Sequence, residues 1–150
     1  ILFGSNVSST EISDNWSPNV VSPYVGSGSS INFISNAQLI NSYVNGNSFT
    51  YINIDCEQIQ NTSVSNNFLS GALKVGGNFT NSITNLLISG NKTQTLKLAD
   101  RSGADGGTNA FSNIIINNTT ATSIELFPDS SVAGSVAANE IILSNEQSIL

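Results

Sequence analysis

The chain is predicted to be all-β, a parallel β-solenoid (β-helix) in which successive coils of backbone stack in register. Three observations carry this. Residues 83–98, ITNLLISGNKTQTLKL, align without a gap on residues 111–126, FSNIIINNTTATSIEL. Every apolar strand position matches: Ile83/Phe111, Leu86/Ile114, Leu87/Ile115, Ile88/Ile116, Leu96/Ile124 and Leu98/Leu126. The copies lie about 28 residues apart, within the window of stacked repeat architectures. Second, apolar residues come in short bursts (INFIS, YINI, LLIS, IIIN) separated by Asn, Gly, Ser and Thr turns. Third, no stretch sustains apolar spacing at three and four residues, so helices are expected to be few. An antiparallel β-sandwich is the alternative, since it also gives short strands and turns, but it does not predict ungapped similarity across a strand-turn-strand unit.

Residues 1–30 read as an irregular N-terminal cap with one or two short strands, carrying Pro18, Pro23 and a Gly-Ser cluster at 26–30. Residues 31–150 read as the solenoid repeats, with 83–98 and 111–126 as the clearest unit. Within them, Phe49–Asp55 echoes the start of the unit, and Leu69–Leu73 weakly matches Val132–Val136. Variable spacing suits a solenoid, because insertions leave at the corners. Alternation sets the faces: Leu96, Leu98, Ile124 and Leu126 inward, with Thr95, Lys97, Ser123 and Glu125 outward. If the coils stack, Lys97 and Glu125 become neighbours and can pair. Asn85 and Asn113 fall at the same point of both copies, either as an internal amide ladder or as solvent-facing turn residues that tolerate positive φ.

Composition narrows the function. The 150 residues hold a single domain's worth of core. Charged residues are 9% of the chain, against roughly 25% in ordinary domains. Asn, Ser and Thr fill the surface instead, at about two residues in five. Net charge is −6, and none of the four basic residues precedes Lys74, so the cationic footprint needed for nucleic acid or anionic lipid is missing. No apolar run reaches the roughly 18 residues of a membrane span, so membrane insertion is not expected. Ile1 and the apolar Ile149-Leu150 suggest ends cut from something longer. The lone Cys56 sits in a strand-like burst and reads as a buried, unreactive thiol.

Candidate chemistry is sparse. Without histidine, Ser-His-Asp and Cys-His catalysis and His-containing zinc sites are absent. Asp55 and Glu57 share a strand face and could form the carboxylate pair of a glycosidase, but read more simply as solubilising charges with no basic residue near them in sequence. No enzyme is expected. The loop Asp100–Asn109 offers Asp100, Asp105 and Asn109 as hard oxygen ligands for Ca²⁺, the one cofactor considered; its spacing fits neither an EF-hand nor the calcium-binding nonapeptide repeat, and a plain corner insertion is the simpler reading. For glycans, the candidate stacking patch is Trp16 with Tyr24 or Tyr43, while Tyr51 flanks another Asn-rich turn; the simpler reading of Trp16 is a plug for the open end of the solenoid. Seven sequons occur, at Asn6, Asn15, Asn61, Asn78, Asn91, Asn117 and Asn118, close to chance for this composition.

The segment Asp14-Asn-Trp-Ser-Pro-Asn-Val-Val-Ser-Pro23 resembles the opening found in large repetitive surface proteins of Bacteroidetes-like bacteria. Gly76-Gly-Asn-Phe-Thr80, Thr93-Gln-Thr-Leu96 and Phe111–Asn118 are similar to the cadence of their Asn/Thr-rich repeats. The resemblance implies a filamentous-haemagglutinin-like β-solenoid, exported and adhesive; the irregular 31–70 region departs from that pattern. The expected function is an extracellular, cell-surface structural or adhesive module binding through an extended neutral polar surface. Its partners would be a cell-surface glycan or protein. The alternatives are a self-assembling homo-oligomeric filament subunit and a phage or viral fibre (tailspike-like) glycan-binding domain.

Overall fold

The computed structural model describes residues 1–4, 6–15, 30–77, 80, 82–98, 109–126, 136–138, 141–144 and 147–148. Among them every segment of regular structure is a strand and every strand pairing is parallel. The chain is a β-solenoid, and the antiparallel sandwich is excluded.

Sixteen strands form one continuous sheet: β1 (Leu2–Phe3), β2 (Val7–Ser8), β3 (Glu11–Ser13), β4 (Ser30–Ile40), β5 (Tyr43–Asn45), β6 (Ser48–Phe49), β7 (Tyr51–Ser65), β8 (Phe68–Leu69), β9 (Ala72–Val75), β10 (Ser82–Ser89), β11 (Lys92–Leu98), β12 (Asn109–Asn117), β13 (Thr120–Leu126), β14 (Val136–Ala138), β15 (Ile141–Ser144) and β16 (Gln147–Ser148). All six predicted pairs across the two copies are register partners, from Ile83↔Phe111 to Leu98↔Leu126.

The interior consists of vertical columns. Val7, Leu39, Ile59, Ile83 and Phe111 stack one above another, and Phe111 continues on Ala138, giving six levels. Ile12, Val44, Val64, Ile88, Ile116 and Leu143 form a second column. A third runs Ile31, Ile52, Leu73, Leu96, Ile124, and a fourth Phe33, Ile54, Val75, Leu98, Leu126. Among the members whose side chains are described, almost all are fully buried, with Ile124 and Leu126 partly so. Each buried branched side chain contributes about 1.5–3 kcal/mol, and β-branched residues suit the pleated interior. Phe3 stacks on Phe33 at 4.7 Å between ring centroids. Cys56 belongs to this interior; burial pushes its thiol up to about 12, in keeping with an unreactive role.

Two corners repeat on each of the first five levels. After β2 and β4, and within β7, β10 and β12, one residue takes positive φ: Ser9, Asn41, Asn61, Asn85, Asn113. At the second corner the equivalent residues are Asp14, Gly46, Asn66, Gly90 and Asn118. Asn, Asp and Gly carry this left-handed conformation at least cost, which is why the turns are so rich in asparagine. Backbone bonds continue through both corners, for example Asn41 N to Gln60 O at 2.9 Å and Gly90 N to Asn117 O at 3.1 Å.

From β4 onward, rung length varies chiefly at a third corner, where the chain passes from Cys56 to Gln58, from Val75 to Ser82, from Leu98 to Asn109 and from Leu126 to Val136. Register spacing grows accordingly, from Tyr43↔Ser63 through Phe68↔Lys92 to Ile83↔Phe111. A smaller irregularity lies between Ser35 and Gln38. Two weak sequence matches are corrected by this register. Ile52 and Ile54 stack under Leu73 and Val75, and so on Leu96 and Leu98; they are equivalent to the second half of the unit, not its start. Leu73 lies in that same column, whereas Val136 pairs with Asn109.

Candidate functional site

Beyond the second corner each level turns an asparagine inward: Asn15, Asn47, Asn67 and Asn91, with Thr119 at the next level. Asn47, Asn67 and Asn91 are buried, and their amides form a continuous ladder. Asn15 Nδ2 donates to Asn47 Oδ1 at 2.9 Å, Asn47 Nδ2 to Asn67 Oδ1 at 3.0 Å, and Asn67 Nδ2 to Asn91 Oδ1 at 2.9 Å. Each oxygen also accepts the backbone N–H of the level before, at 3.1, 3.0 and 3.0 Å. The remaining Nδ2–H groups of Asn47, Asn67 and Asn91 donate to the carbonyls of Ile12, Val44 and Val64 at 2.8, 3.0 and 2.9 Å. Asparagine fits here because two donors and an acceptor with two lone pairs meet the needs of a stacked turn. This ladder was missed in the sequence, although the triplets Ser13-Asp-Asn15, Asn45-Gly-Asn47, Ser65-Asn-Asn67 and Ser89-Gly-Asn91 mark it.

A second ladder stands outside. Asn61 Nδ2 donates to Asn41 Oδ1 at 3.0 Å, Asn85 to Asn61 at 2.7 Å and Asn113 to Asn85 at 2.7 Å, all exposed. Asn85 and Asn113 are therefore the solvent-facing turn residues of the second reading and not an internal ladder, although their amides do bond from level to level outside. Just inside that corner, Thr62 Oγ1 satisfies itself on the carbonyls of Leu39 and Gln60, at 3.2 and 3.0 Å.

The outer surface is neutral and polar with a few exceptions. Lys97 Nζ lies 3.1 Å from Glu125 Oε2, as the register requires. Lys92 sits over the exposed Phe68 ring, 5.4 Å from its centroid, on the level above. On the face of β4, β7 and β9, Ser30, Tyr51 and Ala72 form one outward column, and Asn32, Asn53 and Lys74 form the next. Together they border a groove of about 300 Å³.

The sequence-predicted sites are placed unevenly. Tyr43 is exposed on β5, in a column with Glu11, Ser63, Leu87 and Ile115. Trp16 and Tyr24, its suggested partners, lie outside the described residues. Asp100 and Asp105 do too, while Asn109 opens β12. Among the described residues there is no cluster of three or more Asp, Glu, Cys or His side chains. Asp55 and Glu57 are both half-buried and flank the buried Cys56; Lys74, remote in sequence, pairs in register with Asn53, two residues from Asp55. Of the sequons, Asn91 is buried in the inner ladder and Asn61 is exposed in the outer one. No helix among the described residues is long and apolar enough to cross a membrane.

Compared with known protein families, with characterised proteins and with solved structures, the chain shows no match.

Proposed function

We propose that the chain is a non-enzymatic structural and adhesive module of an extracellular surface or fibre protein. The carrying observation is the division of labour between inside and outside. Apolar columns and a buried amide ladder hold the levels together, so the main stabilising contacts lie inside and not on the exterior. That exterior is then available to touch a surface through many weak polar contacts, each sequence-tolerant and individually small. The low charge suits this, because a neutral polar surface does not depend on counter-ions. The resemblance to repetitive bacterial surface proteins points the same way.

The test is attachment under shear. Beads carrying the folded chain are passed over bacterial lawns and epithelial cell layers, beside beads carrying heat-unfolded chain. Greater retention of the folded chain is expected; equal retention on both surfaces removes the adhesive half of the reading.

A filament subunit is the second reading, favoured by one feature. Strands β1, β2 and β3 are hydrogen-bonded on one side, to β4 and β5, and among the described residues they have no neighbour on the other. A parallel edge of this kind can accept the last level of another copy. Sedimentation across a concentration series distinguishes the cases, with growing species expected for a filament and an unchanging monomer against it.

A further inference from the structure

We propose that the groove on the outward face of β4, β7 and β9 is a saccharide-binding site that takes a pyranose ring against Tyr51. The proposal rests on the adhesive reading, which it makes specific, but involves none of Trp16, Tyr24 and Tyr43, the stacking patch suggested by the sequence.

Three levels build the groove. Ser30 and Asn32 come from the first, Tyr51 and Asn53 from the next, Ala72 and Lys74 from the third, with buried Ile52 beneath. Register explains its relief. Tyr51 is the one large side chain in its outward column, with the small Ser30 and Ala72 as its neighbours along the axis, so the groove opens beside the ring. The ring is 39% exposed yet held in place. A methyl group at Gly71 would lie 2.6 Å from Tyr51 Cε1 and 2.8 Å from the Thr50 carbonyl, so the glycine lets the ring settle against the backbone of the following level.

The polar groups are of the kind that sugars need. Asn32 uses one N–H on Ser30 Oγ at 2.7 Å, and among the described residues the half-buried Asn53 amide makes no side-chain hydrogen bond. Amides present a donor and an acceptor side by side, which matches two vicinal hydroxyls. Lys74 adds a cationic donor, and Lys97 stacks on the level beyond it, so two of the chain's four basic residues share this column. The volume of about 300 Å³ suits one or two sugar units. An aromatic ring for the apolar face of a pyranose, amides for its hydroxyls and a cation at one end form a recognition set; the described outer surface around Tyr43 lacks it, since there the column neighbours are Glu11, Ser63 and Leu87.

The experiment titrates the intact chain with a neutral tetrasaccharide, maltotetraose, and an acidic one, a hyaluronan tetrasaccharide, followed by ligand-observed NMR. Saturable binding of at least one is expected, weakened about tenfold or more by Tyr51→Ser, kept by Tyr51→Phe, and unmoved by Tyr43→Ser. Loss of affinity for the acidic probe alone in Lys74→Gln would identify an acidic sugar; an equal response to both probes would identify a neutral one. Circular dichroism confirms that each variant is folded. No saturation by either probe, or affinity unchanged in Tyr51→Ser, overturns the site. Shear attachment surviving in Tyr51→Ser beads would leave the broader adhesive reading standing.

Discussion

Replacing Asn67 with alanine isolates the inner ladder. The side chain takes part in four hydrogen bonds: it donates to Val44 O and Asn91 Oδ1, and its oxygen accepts from Asn47 N and Asn47 Nδ2. Asn91 Oδ1 keeps a partner in Asn67 N, and carbonyl oxygens tolerate losing one of two bonds. The two N–H groups on Asn47 do not, because Asn47 is fully buried. At about 1–3 kcal/mol for each buried donor left unmade, the loss is about 3 kcal/mol after partial relaxation. The matched control is Asn61→Gly in the outer ladder, where water replaces both amide bonds and glycine accepts the φ of 48°. It should change stability by under about 0.5 kcal/mol. Urea denaturation followed by far-ultraviolet circular dichroism measures both. A third variant, Asn67→Asp, offers acceptors where donors are required, and burial raises its carboxyl pKa. Its deficit should therefore be smallest in acid and grow as pH climbs past the unfolded carboxyl value of about 3.9. An Asn67→Ala deficit below about 1 kcal/mol, or no larger than that of Asn61→Gly, would refute the ladder as a source of stability.

Lys97→Ala breaks an ion pair whose side chains are 26% and 38% exposed, so stability should fall by less than about 1 kcal/mol and the loss should vanish in high salt; urea melts at two salt concentrations decide it. Cys56 should resist a thiol-specific disulfide reagent in the native state and react once denatured. Because its folded value is raised from 9.0 to about 12, the buried thiol favours the fold below pH 9 and loses that contribution as pH rises from 9 to 12, a trend that Cys56→Ala should flatten.

The solenoid could be read because its apolar alternation is local and its clearest copies share one length. Leu96 over Ile124, and Lys97 beside Glu125, followed from ungapped alignment alone. Where rungs differ in length the same reasoning misfired, placing Phe49–Asp55 at the wrong point of the unit, because register there depends on where the extra residues leave. The inner asparagines escaped notice for a different reason. Asn is the expected residue at a left-handed turn, so Asn66 and Asn67 look alike in sequence although one is solvent-facing and the other fully enclosed. The groove was invisible on similar grounds: Asn32, Asn53 and Lys74 are each about twenty residues apart, and only the register makes them neighbours.

From β4 onward most length variation is confined to one corner, which has an evolutionary corollary. Connections as different in length as 76–81 and 99–108 join the same columns at successive levels, so chain can be added along this seam while the neighbouring columns keep their partners. Such a scaffold separates what must be inherited faithfully from what is free to drift, and new specificities could be tried on that seam without renegotiating the interior.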